Sequence, residues 1–374
     1  MEIKKIPWLI DPHTSAKHEI LRKYLQPWMA ILSSTNKRII YLDGFAGPGE
    51  YLTKKGEKVK GSPIIAIDCY LEHSLKERIK EVSFIFVDKE KKVIEYLNEK
   101  LKSYSKENLK IKTINAEFET VVNNILNELE KDNKNIAPTF CFIDPFGIKG
   151  LSLNTISRMM NKKSCEVLIN FMYEELIRFI SLPQNKKNVC ALFGEESKWK
   201  EVHNYKTPKE RYLFLVSLYE KQLRNSCEGE CYIRTFDMVN KFNKKDYVLF
   251  FVTKNKLGLK KMKEAMWSVD DSGEFTFSDF TYNPNQSVLF SNEPDYNRLQ
   301  KEIVEEFKFK KVDVEEVFDY VLVKTSFLDK HARVVLTEME EDKKISVERN
   351  GQNRRGVFPP GKTIIDFNNL NNNI

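Results

Sequence analysis

The sequence predicts an α/β fold: a doubly wound, mostly parallel sheet followed by a smaller C-terminal module. Three observations carry this. Five short apolar runs alternate with amphipathic helical stretches between residues 38 and 171. Two β-rich runs, 231–239 and 247–253, are then joined by a link too short for a parallel crossover, so they form an antiparallel hairpin. From Tyr296 the pattern changes to three helices and two β-like runs, the parts of a winged helix.

The elements follow in order. Residues 15–32 have helical periodicity and precede the first strand, "RIIYLD" (38–43), which runs into the glycine turn "GFAGPGEY". In "GSPIIAIDCYLEH", Ser62 stands at an N-cap and Pro63 at the first helical position, so a helix runs to about His73. Strand "VSFIFVD" (82–88), helix 91–101, strand "LKIKTIN" (109–115), helix 118–130, strand "TFCFID" (139–144), a helix from about Ser152 to Met160 and strand "CEVLINF" (165–171) continue the alternation. A helical insertion near 175–228 contains "RYLFLVSLYEKQL" (211–223), and a last helix (258–269) follows the hairpin. Five alternating strands and a hairpin make the seven strands of a methyltransferase sheet; a flavodoxin-like sheet would stop after five. The turn-rich connector 270–295 sets the boundary, giving units of 1–290 and 296–374, and "NNLNNNI" reads as a polar tail.

Composition bounds the function classes. The chain has 374 residues, 41% apolar and 31% charged, enough for a larger domain and a small one. No segment approaches the roughly 20 apolar residues of a spanning helix, and there is no signal-like run, so a cytoplasmic protein is expected. The net charge of +7 suits an anionic partner such as nucleic acid without requiring one. Six scattered cysteines read as buried reduced thiols. "CEGEC" (227–231) has the wrong spacing for a zinc knuckle and lacks a second pair, so no metal is expected.

Glycines at a strand end allow a nucleoside cofactor close to the backbone, where side chains would collide; the same residues can simply make a bend. In "YLDGFAGPGEY" the spacing is G-x-x-G-x-G, not the dinucleotide fingerprint, but the turn follows the first strand, where a cofactor loop belongs. Asp88 ends the second strand and offers two acceptors to a ribose diol, or caps the next helix. Asn115, Ala116 and Glu117 end the third, where an adenine edge would lie. "FCFIDPFGIKG" puts a carboxylate, a donor-free turn and an aromatic ring, Asp144, Pro145 and Phe146, at the carboxyl edge of the sheet. Amino-methylating enzymes use an Asp/Asn-Pro-Pro-aromatic element there to hold a nitrogen and stack the base; here the second proline is missing and the aromatic moves up one place.

Together, "HTSAKHEILRKYLQPWMAIL", "YLDGFAGPGEY", "GSP", "FIDPFG" and "YVLFFVTKNKLGLKKMKEAMW" resemble the three-Cys-motif partner proteins, a bacterial family with a class I S-adenosylmethionine-dependent methyltransferase-like domain. The resemblance covers most of the chain. It implies a Rossmann-like class I sheet, S-adenosylmethionine as cofactor, and association with an iron-sulfur protein carrying a three-cysteine motif, similar to radical enzymes. By analogy with class I methyltransferases, Asp43, Gly44, Phe45, Gly47 and Gly49 would surround the methionine part of the cofactor and Asp88 its ribose. His13, Thr14 and Lys17 stand where a helix ahead of the sheet could fold over cofactor or substrate. Asn170 and Arg178 also lie near that edge, with a cap and a surface cation as their ordinary reading.

In the C-terminal module, basic residues lie on the third helix (Lys330, His331, Arg333) and the wing (Arg349, Arg354, Arg355), where winged helices contact phosphates, although Glu338, Glu340, Glu341 and Asp342 share that helix. The expectation is therefore a methyltransferase acting on an amine or ring nitrogen of a nucleic-acid base. The alternative is a non-catalytic binding subunit that recruits nucleic acid or protein for the three-cysteine partner.

Overall fold

The computed structural model describes residues 6–104, 109–194, 196–279, 293–351 and 354–368. The chain divides into two compact units, Met1–Ala265 with Thr276–Asn285, and Met266–Phe275 with Gln286–Ile374. Half of the expected connector (280–292) and all but the first residue of the polar tail lie outside the described residues.

The first unit begins with strand β1 (Trp8–Leu9) and helix α1 (Pro12–Ser33), then β2 (Ile39–Asp43), a hairpin of β3 (Glu50–Leu52) and β4 (Lys58–Lys60), and α2 (Ser62–Leu71). The alternation continues with β5 (Val82–Asp88), α3 (Lys91–Leu101), β6 (Leu109–Asn115), α4 (Phe118–Lys131), β7 (Thr139–Ile143), α5 (Leu153–Met160) and β8 (Cys165–Phe171). Four helices follow: α6 (Tyr173–Phe179), α7 (Lys186–Phe193), α8 (Glu196–Trp199) and α9 (Pro208–Asn225). Then come β9 (Tyr232–Val239), β10 (Lys245–Thr253), α10 (Lys256–Trp267) and β11 (Thr276–Ser278).

The sheet has the order β11-β9-β10-β8-β7-β2-β5-β6. Strands β6, β5, β2, β7 and β8 are parallel, and β10 runs antiparallel to both β8 and β9. Numbered among themselves, seven of the strands read 3-2-1-4-5-7-6, the class I methyltransferase arrangement. The eighth, β11, corrects the expected count: it adds to the edge parallel to β9. Every residue of β7 and β8 is buried, which is why "TFCFI" and "CEVLINF" are continuous apolar runs, whereas the edge strand β6 exposes Lys110 and Lys112.

Two caps show how local sequence sets the turns. Ser62 is not the cap of α2: Gly61 is, with its amide bonded to Gly49 O at 2.7 Å. A side chain at 61 would collide with the Gly49 backbone, and the Ser62 hydroxyl is engaged by Asp43. Thr207 and Glu210 form a reciprocal capping box at the start of α9.

Helix α1 packs His13, Lys17, Ile20, Leu21, Tyr24, Leu25 and Trp28 along one buried stripe. Its buried polar groups find partners far along the chain. Tyr24 Oη and Thr253 Oγ1 each donate to Glu166 at 2.6 Å, and burial lifts the Glu166 carboxyl above its ordinary value. Among the described residues no helix is long and apolar enough to cross a membrane.

The second unit contains α11 (Tyr296–Phe307), β12 (Lys311–Asp313), α12 (Val314–Lys324), α13 (Asp329–Glu341), β13 (Ser346–Arg349) and β14 (Thr363–Asp366). Its antiparallel sheet has the order β12-β14-β13, and Leu299, Ile303, Val317, Val335, Leu336 and Ile365 are buried in its interior. This is a winged helix. The sequence reading contained its three helices and hairpin; β12, three residues long, adds the third strand.

Candidate functional site

The carboxyl ends of β2, β5, β6, β7 and β8 bring most of the expected site residues to one edge of the first unit. The glycine turn leaves β2 through Gly44, whose amide donates to Phe142 O at 2.9 Å, while Ala46 N bonds Val87 O at 2.9 Å. The glycines have different reasons to be there. A Cβ on Gly44 would lie 2.5 Å from the Phe118 ring, and one on Gly49 would lie 2.7 Å from Leu97. Both are therefore required by the protein's own packing. Gly47 (φ +62°) is buried as well, and a Cβ there would meet the Trp8 ring at 3.3 Å and Tyr51 Oη at 3.6 Å. Gly47 and Gly49 both hold left-handed backbone, which favours glycine whatever binds there.

Asp43 lies inward from this turn. It is 0% exposed, accepts from Tyr41 Oη at 3.2 Å and Phe45 N at 3.3 Å, and burial lifts its carboxyl to about 7. That corrects the sequence expectation: Asp43 braces the turn from inside, with no surface for a cofactor.

Asp88 stands at the end of β5, two residues before Glu90, the N-cap residue of α3. Its Oδ1 accepts from Glu90 N at 2.9 Å and its Oδ2 from Gly47 N at 3.1 Å, tying the glycine turn to the end of β5. Each carboxylate oxygen keeps a second acceptor direction. Burial raises the Asp88 carboxyl above its ordinary range, with the two amides working against that rise. The Asn115 amide donates to Asp88 O and Lys89 O at 3.0 and 2.8 Å, fixing the end of β6 against β5. Beside them lies Gly150, where a Cβ would make ordinary contact with the Phe45 ring at 3.6 Å and sit 4.0 Å from a Glu117 carboxylate oxygen. An aromatic face and an exposed acceptor flanking side-chain-free backbone fit an adenine ring with an exocyclic amine, and Asp88 fits a ribose diol.

At the end of β7, Asp144 is held from two sides. Lys17 Nζ donates to its Oδ2 at 2.5 Å, and Asn170 Nδ2, on β8, donates to its Oδ1 at 2.6 Å. Lys17 is 4% exposed and lies over the Tyr247 ring at 5.3 Å. It was expected to touch the cofactor; it is committed to Asp144 instead. Three buried polar atoms nearby have no protein partner: Asn170 Oδ1, His18 Nδ1 and Tyr247 Oη. Burial, followed by the adjacent Lys17 charge, lowers the His18 imidazole to about 3, so His18 is neutral. Phe146 is 77% exposed and meets Trp8 edge-on at 5.2 Å, and Trp8 in turn meets Tyr51 at 6.3 Å.

Trp8, His18 and Tyr247 were not singled out in the sequence. Trp8 is placed by β1 pairing with β3, a contact without a local signal, whereas His18 follows Lys17 on a helix already read as covering the sheet. His13 anchors that helix. Its Nε2 bonds Val239 O at 2.7 Å, and its Nδ1 faces Asp279 at 3.4 Å and Asp246 at 3.5 Å. Arg178 is exposed and pairs loosely with Glu174 and Glu175, each at 3.6 Å.

In the winged helix, the expected phosphate contacts separate into two groups. Arg349 is 5% exposed, forks onto Glu340 at 2.7 and 2.5 Å and donates to Val357 O at 2.8 Å, which corrects its assignment to nucleic acid. Arg333 turns inward, donating to Phe358 O at 3.1 Å and covering the Phe318 ring at 4.5 Å. Lys330, Arg354 and Arg355 are exposed.

A cavity of about 400 Å³ lies elsewhere, at the amino edge of the first unit's sheet, where Arg38, Ile40, Ala137 and Thr139 open their strands. Its lining is largely apolar and holds none of the groups above. Among the described residues no cluster of three or more His, Cys, Asp or Glu could hold a metal ion.

Comparison with known proteins gives one family match and several weak structural likenesses. The model of a GMT-like wHTH domain matches residues 270–351. No curated protein sequence matches the chain. Protein LPL1258 from Legionella pneumophila is similar at 14% identity over 64% of this chain and 84% of its own, with a TM-score of 0.37. Magnesium protoporphyrin IX methyltransferase from Synechocystis, with bound S-adenosylmethionine, is similar at 10% identity over 64% and 81%, TM-score 0.30. M. jannaschii TYW2, in complex with AdoMet, is similar at 12% identity over 66% and 77%, TM-score 0.30. At these scores the likenesses add nothing to the strand order, which rests on the sheet itself.

Proposed function

We propose that the chain is an S-adenosylmethionine-dependent methyltransferase whose acceptor is an amine or ring nitrogen of a nucleic-acid base. The observation that carries this reading is the carboxyl edge of β7 and β8. There a fixed carboxylate, an unpartnered buried amide oxygen and an exposed aromatic ring stand beside a glycine turn tied to Asp88. Asp88 would take the ribose, Phe45 and Glu117 with Ala116 the adenine, and the backbone around Gly47 the methionine part. S-adenosylmethionine supplies an electrophilic methyl group when bound.

The chain's own task is alignment. Asp144 and the Pro145 carbonyl would orient the acceptor nitrogen, and Phe146 would stack the base. Lys17 and Asn170 would keep the Asp144 carboxylate in one orientation. Transfer to a neutral nitrogen needs no strong base, which suits a site whose histidine, His18, is buried and neutral. The test is calorimetry with S-adenosylmethionine on wild type and Asp88→Ala, then labelled methyl transfer to total RNA and DNA with Asp144→Ala as comparison. Binding lost in Asp88→Ala and transfer lost in Asp144→Ala are expected; no binding to wild type sinks the reading.

One observation favours a second reading. The short Lys17–Asp144 ion pair already occupies the carboxylate, as it would in a non-catalytic subunit that keeps the sheet and serves a three-cysteine-motif partner. Cofactor binding without transfer to any acceptor would select it.

A further inference from the structure

We infer that nucleic acid is gripped by the carboxyl-edge rim of the first unit, not by the winged helix, and that the rim takes a single strand. The inference deepens the proposed function by naming the surface that holds the acceptor, and it rests on that reading for the class of acceptor only.

Charge is the first argument. The first unit carries 47 Lys and Arg against 35 Asp and Glu, +12; the second carries 14 against 19, −5; together these give the chain's 61 and 54 and its +7. Phosphate binding is dominated by such charge, so the acidic unit is the poorer phosphate surface. Its third helix agrees: the exposed face of α13 is Lys330, Val334, Glu338 and Glu341, while Arg333 and Arg349 turn inward.

The rim supplies what that helix lacks. Lys54 and Lys55 at the β3–β4 turn, Lys149 after β7, and Lys241 and Lys244 at the β9–β10 turn are exposed. None has a carboxylate within ion-pair distance among the described residues, and the ends of β2, β7 and β9 place all three segments on the same sheet edge. Contacts join them into an arc. Phe146 meets Trp8, Ile10 N bonds Leu52 O at 2.8 Å, Lys54 acts on Asp279, and Asp279 faces His13, which bonds Val239 at the start of the second turn. Carboxylates also stand along the arc: Asp246 and Asp279 flank His13, exposed Asp11 acts on Asp279, exposed Glu57 lies in the β3–β4 turn, and Glu174 and Glu175 are shared with Arg178.

Two phenylalanines interrupt the lysines: Phe146, 77% exposed, and Phe242, 69% exposed with Lys241 Nζ 5.1 Å above its ring. Exposed rings between unpaired cations suit successive unstacked bases, because every base presents a π-face while a duplex hides it.

The test is fluorescence anisotropy on the full chain, without cofactor, using labelled oligouridylate and oligothymidylate of about 15 nucleotides and a duplex of equal length. Salt is varied between about 50 and 200 mM. The paired variants Lys54→Gln/Lys55→Gln and Lys241→Gln/Lys244→Gln should each lower the log–log salt slope by up to about 1.4, at about 0.7 per lost phosphate contact. Phe146→Ala and Phe242→Ala should each weaken single-strand binding about tenfold. Arg354→Gln/Arg355→Gln, on the wing, should leave slope and affinity unchanged. The inference is overturned if the wing pair loses affinity while the rim pairs keep it, or if no probe binds. Equal binding of duplex and single strand, unaffected by the phenylalanine variants, overturns the single-strand assignment. Binding without methyl transfer would sink the enzyme reading alone; methyl transfer to a small acceptor without oligonucleotide binding would sink this one alone.

Discussion

Arg349→Leu separates a structural arginine from a phosphate contact. In the folded unit its guanidinium forks onto Glu340 at 2.7 and 2.5 Å, donates to Val357 O at 2.8 Å and lies 5.1 Å over the Phe358 ring. The side chains of Arg349 and Glu340 are 5% and 14% exposed, so truncating one leaves the other desolvated and unpaired. Breaking a buried pair in this way costs about 3–5 kcal/mol. For a unit of roughly 100 residues, where 1 kcal/mol moves the midpoint by about 4–8 °C, the winged helix should melt at least about 12 °C lower. Calorimetry and urea unfolding of Arg349→Leu, Glu340→Leu and the double variant would read this. The double variant should recover part of the loss, since an apolar pair replaces an ion pair without stranding a charge. Oligonucleotide affinity, measured in the cold where each variant is folded, should be unchanged. A stability change within about 1 kcal/mol together with weakened oligonucleotide binding would refute the reasoning, because the arginine would then be facing outward.

Two further outcomes follow from the turn after β2. Burial lifts Asp43 from its ordinary 3.8 to about 7, so the folded chain keeps a proton that the unfolded chain releases. Stability should therefore fall as pH rises from about 4 to about 7, by on the order of 4 kcal/mol; Asp43→Asn should lack this loss, and an unfolding free-energy difference between the two that is flat with pH would show the carboxyl to be ordinary. Gly49→Ala places a methyl 2.7 Å from Leu97 at φ +72° and should cost about 2 kcal/mol or more in the wild-type chain but less in a Leu97→Ala background; an equal cost in both would show that strain, not collision, sets it.

The alternating elements were legible because both faces of this sheet are covered. Burial forces β7 and β8 to be apolar throughout, and helices α3, α4 and α5 to carry one apolar stripe each. Strands of two or three residues were not legible. β1, β3, β11 and β12 exist through pairing with distant segments, and so short a run has no period to detect. Site residues divide in a similar way. Asp88, Asp144 and Phe146 stand at strand ends, which periodicity locates. Whether a strand-end acid points out or in depends on neighbours such as Tyr41 and Ser62, so Asp43 was misplaced. Lys17 did leave a signal: it falls on the buried stripe of α1 with Tyr24 and Trp28, and a lysine there needs a partner. That the partner is Asp144, 127 residues away, is a property of the assembled sheet.

Helix α1 also has a consequence for how the chain reaches this state. His13 and its partner Val239 are separated by 226 residues, and Tyr24 by 142 from Glu166, so the helix is synthesised long before these partners, although α2 follows it closely and contacts it through Cys69 and Arg22. Contacts of such separation must close large loops, which slows folding. Until β10 inserts between β8 and β9, the apolar stripe of α1 and its buried lysine have no completed surface to enter. Lys17, Asp144 and Asn170 all precede β10, so a chain interrupted before it would hold that polar cluster without the Tyr247 ring that covers Lys17.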